Sequence, residues 1–389
     1  MNFGHVVSTT PPIAENILKY MNARDLCSCA KVCTLWNKIA QTEKKRRMNI
    51  GWFLQVHYQQ HMWIFKDYGI ALMSRPGDCN TPCGSNSNCL ECSLSATKNH
   101  EEEMRQVFEA VRIQPYFCIA FATSGYLSSF EKLFPAFRYS SEPAKKKARN
   151  NYYLRDYLRA VKEKALKEHL PDQCPVSFII SPGIVGCWKN AVPVEVEEGT
   201  ALSGLLFPQV PGMEIHHFAV DGRRCNVDKL VPTDASVKCL LVFLTQRGSS
   251  IAVKLVRSCI ERENGKVAVG GAIVDRTESL TGTVIAFCGP SVKAASVILT
   301  QEDGKEQFER KLKQFQETDL LNSENKCFAF MFVCVARGFH LHKEYNLESS
   351  VFRKLYPNVP LIGLFGNGEI GINYIPSKCE NNLDQKKSA

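Results

Sequence analysis

Two groups of residues in this chain are of types and spacings that can do chemistry. Cys79, Cys83, Cys89 and Cys92 fall within fourteen residues, with His100 just beyond. Four thiolates satisfy a tetrahedral metal, and Cys89-x-x-Cys92 has the spacing of a zinc knuckle. Cys79-x-x-x-Cys83 is looser, and the pairs lie closer together than in common zinc modules, so an irregular loop with free thiols competes with a structural zinc. The second group is Cys334, Arg337 and the turn Gly366-Asn367-Gly368-Glu369. A strand end, a guanidinium, a glycine-rich turn of backbone N–H groups and one carboxylate can grip a small zwitterion. Arg337 is also placed to activate the Cys334 thiol. Catalysis is not expected, because no histidine or second acid lies nearby in sequence to act as a base. His216 and His217 are adjacent on an expected strand and point to opposite faces, so they cannot share a metal. Gly270-Gly271 lies inside a strand rather than between strand and helix, which excludes a phosphate loop.

The elements that position these residues follow from periodicity. Beyond residue 100 a strand, a helix and a strand recur three times: 116–123, 152–169 and 176–180; then 239–245, 251–262 and 267–274; then 327–335, 347–356 and 361–365. The strands are almost continuously apolar, the pattern of strands covered on both faces. Further strands are expected at 201–207, 214–220, 282–287 and 293–300, with a covering helix at 305–315 that carries Phe308, Leu312 and Phe315 on one face. Duplicated units with parallel and antiparallel neighbours imply an α+β fold with mixed sheets covered by helices.

The amino end differs in kind. Apolar residues at Ile13, Ile17, Leu18 and Met21, then at Leu26, Cys29, Ala30 and Cys33, then at Trp36, Ile39 and Ala40 predict three short amphipathic helices. Pro11 and Pro12 can open the first behind a Thr cap, the 22–25 turn can cap the second, and the Lys44 to Arg47 run favours a helix end. So small a module cannot bury all its apolar surface alone. It calls for a partner.

Composition bounds the rest. The chain has 389 residues, 44% hydrophobic and 22% charged, room for two or three globular domains. The longest apolar run, 327–336, is about half of what crosses a bilayer, and no secretory leader is evident, so no membrane is expected and the setting is cytoplasm and nucleus. Seventeen cysteines without a secretion signal read as reduced thiols. The net charge of +9 concentrates in the 44–47 and 145–149 runs. Neither is interleaved with stacking aromatics, so nucleic acid is not an expected partner; the 145–149 run suits an exposed loop that can serve as a nuclear import signal.

Two families resemble parts of this sequence. Ile17-Leu18-x-Tyr20-Met21, Asp25-Leu26 and Val32-Cys33-x-x-Trp36-x-x-Ile39-Ala40 closely resemble an F-box, although Thr9-Thr10 stands where the motif usually opens with Leu-Pro. The segment from Phe328 through Arg337-Gly338-Phe339 to Tyr356-Pro357 and Leu364-Phe365-Gly366-Asn367-Gly368-Glu369 is similar to a FIST C-terminal domain. Ser181-Pro182-Gly183 and Leu205-Leu206-Phe207-Pro208 are similar to the N-terminal FIST half. Ala336 departs from the FIST pattern, where a glycine is favoured, and the polar tail lacks the last apolar strand expected of that family, which leaves the third unit's sheet short of an edge.

The resemblance implies an F-box over 1–52, a FIST N-terminal-like domain over 53–237 with a cysteine-rich loop at 75–100 and a basic loop at 135–150, a FIST C-terminal-like domain over 238–380, and a tail at 381–389. It implies binding of the Skp1 adaptor through Ile13, Ile17, Leu18, Met21, Leu26, Val32, Trp36 and Ile39, and through Skp1 of a cullin and a RING protein. The body would hold protein substrates for ubiquitylation and proteasomal degradation, with no catalytic residue and no cofactor beyond the candidate zinc. The alternative is a sensor, since FIST resemblance also implies an amino-acid-like ligand at Cys334, Arg337, Gly366, Gly368 and Glu369.

Overall fold

The computed structural model describes residues 9–47, 50–58, 61–65, 71–74, 113–126, 166, 170–187, 193–197, 199–220, 227–321 and 326–377. Cys79, Cys83, Cys89, Cys92 and His100, the 135–150 loop, all of the expected 152–169 helix but Leu166, and the tail after residue 377 lie outside the described residues. The chain divides into two compact units, Met1–Cys118 with Leu127–Val176 and Leu205–Gln209, and Ile119–Tyr126 with Ser177–Gly204 and Val210–Ala389.

In the first unit three helices form as their spacing predicts: α1 (Pro11–Leu18), α2 (Ala23–Cys29) and α3 (Thr34–Arg46). Thr10 occupies the cap of α1, yet its hydroxyl makes no cap bond. Prolines in the first turn carry no N–H that needs one. Asn22 caps α2 by accepting from the Asp25 N–H at 2.7 Å, and Cys33 Sγ accepts from the Trp36 N–H at 3.5 Å to open α3. Ala14, Leu18, Leu26, Ile39 and Ala40 form the core of the module, with Met21, Cys29, Ala30, Leu35 and Trp36 packed around it. The strands β1 (Gly51–Tyr58), β2 (His61–Phe65) and β3 (Ala71–Ser74) follow as an antiparallel meander.

The expected strands appear as β4 (Phe117–Thr123), β5 (Val176–Ser181), β8 (Thr200–Phe207), β9 (Glu214–Val220), β10 (Val237–Leu244), β11 (Ala268–Ile273), β12 (Gly282–Cys288), β13 (Ala329–Cys334) and β14 (Leu361–Gly366). Besides β1 to β3, the strands β6 (Gly183–Cys187), β7 (Pro193–Val196) and β15 (Glu369–Gly371) were not legible in advance. Further helices among the described residues are α4 (Ala252–Arg262), α5 (Lys305–Lys313), α6 (Phe339–His342) and α7 (Leu347–Leu355). Among the described residues no helix is long and apolar enough to cross a membrane.

In the second unit the repeated logic holds. β10 and β11 pair in parallel across α4, and β13 and β14 pair in parallel across α7, because a parallel neighbour needs a crossover rather than a hairpin. The strand orders are β15-β11-β10-β12-β9 and β13-β14-β6-β7. Leu255 and Cys259 of α4 close one core on the five-stranded sheet, while Phe308 and Leu312 of α5 and Val351 and Phe352 of α7 close another on β13 and β14. Phe121, Phe243, Phe330 and Phe332 make edge and stacked contacts with centroids 5.5–6.5 Å apart. Gly270 is what admits Phe332, for a Cβ there would lie 2.8 Å from the ring. That pair of glycines serves packing.

One expected strand does not form. Residues 293–300 make a single bridge, Ser296 to Tyr374, because side chains take the remaining bonds: Ser296 Oγ donates to Ile372 O at 2.7 Å and Asn373 Oδ1 accepts from the Ile298 N–H at 2.7 Å. In the four-stranded sheet β13 stands at one end and β7 at the other.

Candidate functional site

The helical module completes its own core and still leaves apolar side chains outside. Leu18 and Leu26 are fully buried and Ile39 is 7% exposed, so these three, expected on a docking face, instead hold the module together. Ile13 is 38%, Val32 61% and Tyr20 70% exposed, Ile17 is half-buried, and Met21 and Trp36 are half-buried against the core. Tyr20, in the turn just past α1, was missed as a candidate although it stands within the Ile17-Leu18-x-Tyr20-Met21 motif. The Tyr20 ring is exposed with Lys19 Nζ 5.9 Å from its centroid, and exposed aromatic and aliphatic side chains are the residue types that interfaces bury.

One arginine ties the end of α1 to α3. Arg47, just past α3, donates through Nη1 to Met21 O at 2.8 Å and through Nη2 to Leu18 O and Lys19 O at 3.1 Å each, while its Nε pairs with Glu43 at 2.9 Å. Helix ends leave carbonyls without intrahelical partners, and a forked cation at the C-terminus of α1 serves several at once. Lys44, Lys45 and Arg46 stand in the last turn of α3 as expected, and Arg47 serves the end of α1 as well.

The second candidate assembles only in part. Cys334 closes β13, and Glu369 meets it: burial pushes the Glu369 carboxyl up from its ordinary value, and a hydrogen bond from the Cys334 thiol and the charge of Arg337 partly offset this. Glu369 is exposed as a residue, so the sheltered part is the carboxyl end that faces Cys334. Arg337 turns elsewhere. Its Nε donates to Glu348 Oε1 at 2.7 Å, the guanidinium lies 5.6 Å over the Phe308 ring, and among the described residues buried Nη2 has no hydrogen-bond partner. His342 Nε2 meets the same Glu348 oxygen at 2.8 Å, and Glu348 is only 5% exposed.

The turn at Gly366 and Gly368 is also engaged. The Asn367 N–H donates to Ile273 O at 2.8 Å, Gly368 O accepts from Ile273 at 2.7 Å, and Gly366 O accepts from Val335 at 3.0 Å. The zwitterion grip therefore lacks its guanidinium and much of its backbone. The expectation that no histidine or second acid is near is corrected as well: His342 and Glu348 fold onto Arg337, eleven residues or fewer along the chain, and are occupied with each other. The spacing Arg337, His342, Glu348 was the available signal.

The loop after Arg337 is pinned from a second side. Glu197 Oε1 accepts from the Phe339 N–H at 2.8 Å, and Gly338 has φ 60°, where a Cβ would lie 2.5 Å from the Glu197 carboxyl. Glu195, 8% exposed, accepts from the Ser349 N–H at 2.9 Å, and burial pushes its carboxyl above the ordinary value. His216 pairs with Glu214 at 3.1 Å and His217 lies 3.7 Å from Glu278. Among the described residues no cluster of three or more His, Cys, Asp or Glu is arranged to hold a metal.

Comparison with known proteins fits this geometry. The F-box domain family model matches residues 11–48, the helical module, and the FIST C domain family model matches residues 240–372, which run from β10 to just past β15. The chain is similar to F-box only protein 22 of Homo sapiens, 27% identical over 414 residues that cover 97% of this chain and 90% of that protein. It is 28% identical to F-box only protein 22 of Pongo abelii over the same shares.

Proposed function

With an F-box at its amino end and a FIST C domain in its body, we propose that this chain is the substrate-recognition subunit of an SCF-type ubiquitin ligase. Residues 11–48 hold Skp1, and through it a cullin and a RING protein; the FIST-like body over 53–380 holds the protein to be ubiquitylated and passed to the proteasome. The names of its relatives, F-box only protein 22, support the same role. The observation that carries the reading is the exposed triad Ile13, Tyr20 and Val32 on a module whose interior is already filled. Apolar surface of that kind gains free energy by leaving water, roughly 25 cal/mol per Å² covered.

The chain itself performs no bond chemistry in this account. It raises the concentration of substrate lysines near the charged E2, and holding two reactants together is the catalytic gain. The Cys334 neighbourhood supports this division, since its cation and acids are paired with one another. The complex works in cytoplasm and nucleus, with the basic run at 145–149 as the import signal; imaging of a tagged chain with that run changed to alanine tests this. The role as a whole is tested by immunoprecipitation of full-length chain against a variant lacking residues 11–48. Cullin and Skp1 recovered with the first and absent from the second is the expected result; equal recovery refutes it.

A further inference from the structure

Tyr20 stands in the turn between α1 and α2, outside both helices. Its side chain has little to hold its direction, since it is 70% exposed and Lys19 Nζ, 5.9 Å from the ring centroid, is a loose companion. The backbone of the turn must therefore set where the ring points. That backbone is closed by two i to i+3 bonds, Tyr20 N–H to Ile17 O and Met21 N–H to Leu18 O, each at 3.2 Å. Bonds of this spacing have poorer geometry than those of an α-helix, so a turn made of them gains much from a further restraint.

Arg47 provides one, and it does so on both sides of the tyrosine. Nη2 donates to Leu18 O and Lys19 O at 3.1 Å each, ahead of Tyr20, and Nη1 donates to Met21 O at 2.8 Å, behind it. Among the described residues Lys19 O and Met21 O accept from no other backbone donor. The guanidinium is itself fixed, because the side chain is 9% exposed and its Nε donates to Glu43 Oε1 at 2.9 Å, one turn back on α3. A planar fork with fixed N–H directions sets the separation of the carbonyls it binds, which a flexible ammonium does not. Lys45 and Arg46 of the same basic run are exposed, so the run has one member that turns inward to this task.

We propose that Arg47 is a positioning residue for adaptor docking: from inside the module it sets the backbone on both sides of Tyr20, so that the ring meets Skp1 already in its bound direction and little ordering remains to be done on binding. This rests on the receptor reading above and deepens it, because it names the residue through which the end of α3 acts on the interface.

The test is a double-mutant cycle in the full-length chain, read as affinity for Skp1 by calorimetric titration. Tyr20→Ala should weaken binding about tenfold or more, as loss of an aromatic anchor does. Arg47→Lys keeps the charge and loses the fork; it should weaken binding about fivefold to tenfold in the wild-type background and less than about twofold when Tyr20 is already alanine, because the group it positions is gone. In an Ile13→Ala background Arg47→Lys should keep its full effect, since Ile13 lies in the first turn of α1, away from the clamped carbonyls. A residue that merely held the module together would lose the same factor in all three backgrounds, so equal losses overturn the proposal. So does an Arg47→Lys chain that binds as the wild type does, and so does a Tyr20→Ala chain of undiminished affinity. The two claims part cleanly: a wild-type chain that fails to bind Skp1 removes the receptor reading, whereas Skp1 binding with equal losses across the backgrounds removes only the role of Arg47.

Discussion

Replacing Arg47 by methionine should loosen the whole helical module while leaving its apolar core intact. The side chain is 9% exposed, donates to three carbonyls of the segment that ends α1, and pairs with Glu43. Hydrogen bonds from a charged donor contribute about 1.5–3 kcal/mol each, but carbonyls at a helix end regain water when the donor leaves. The pair with Glu43 adds only a few tenths of a kcal/mol, as an i,i+4 pair does. A net loss of about 2–3 kcal/mol follows, large for a module of roughly forty residues that buries few large side chains. Lysine at the same position keeps the charge and loses the fork, so it should recover less than half. Amide exchange on the full-length chain reads this directly: protection through α1 and the following turn should fall about thirtyfold to hundredfold in the methionine variant, with β10 to β12 unaffected. Unchanged protection in α1, or full rescue by lysine, would refute the idea that geometry rather than charge holds this face together.

Glu348→Ala should be among the most damaging changes in the second unit, because it leaves the buried guanidinium of Arg337 and the ring of His342 without their shared acceptor. About 3–5 kcal/mol is the usual cost of breaking a buried pair from one side, seen as a lower urea midpoint; an unchanged midpoint contradicts the assignment. Glu195 is raised by burial above its ordinary value of 4.5, so the folded state holds its proton more tightly than the unfolded one and loses stability as pH rises through and above 4.5. Glu195→Gln should therefore gain on the wild type as pH is raised from 4 to 7 in unfolding titrations, and a difference that does not change with pH would show that burial is not what shifts the carboxyl. For Cys79, Cys83, Cys89 and Cys92 the poor spacing favours free thiols, and metal analysis of chelator-free protein should find well under one zinc per chain; one zinc per chain, lost in a Cys89→Ser variant, reverses that reading.

The elements whose apolar residues repeat at a helical or strand period could be read directly. α1 to α3 follow from Ile13 through Ala40, and α4 and α7 follow because each must cover one face of two parallel strands. What escaped depends on separation along the chain. Arg47 reaches carbonyls 26 to 29 residues away, and Glu195 and Glu197 reach a loop more than 140 residues away, contacts with no local signature. Residues 293–300 misled because Val297, Ile298 and Leu299 have strand composition, while Ser296 and Asn373 supply bonds that a ladder would otherwise make. In the candidate sites the residue types were right and the pairing was not: Leu18, Leu26 and Ile39 went inside, and Arg337 chose Glu348 over the glycine turn.

The central claim is that Ile13, Tyr20 and Val32 await an adaptor, and calorimetric titration of purified Skp1 into the full-length chain tests it most directly. The wild type should bind one to one, and a variant with Ile13→Asp and Val32→Asp, both exposed and therefore harmless to the fold, should bind at least about thirtyfold more weakly with an unchanged melting temperature. Equal affinity in the two proteins would contradict the account.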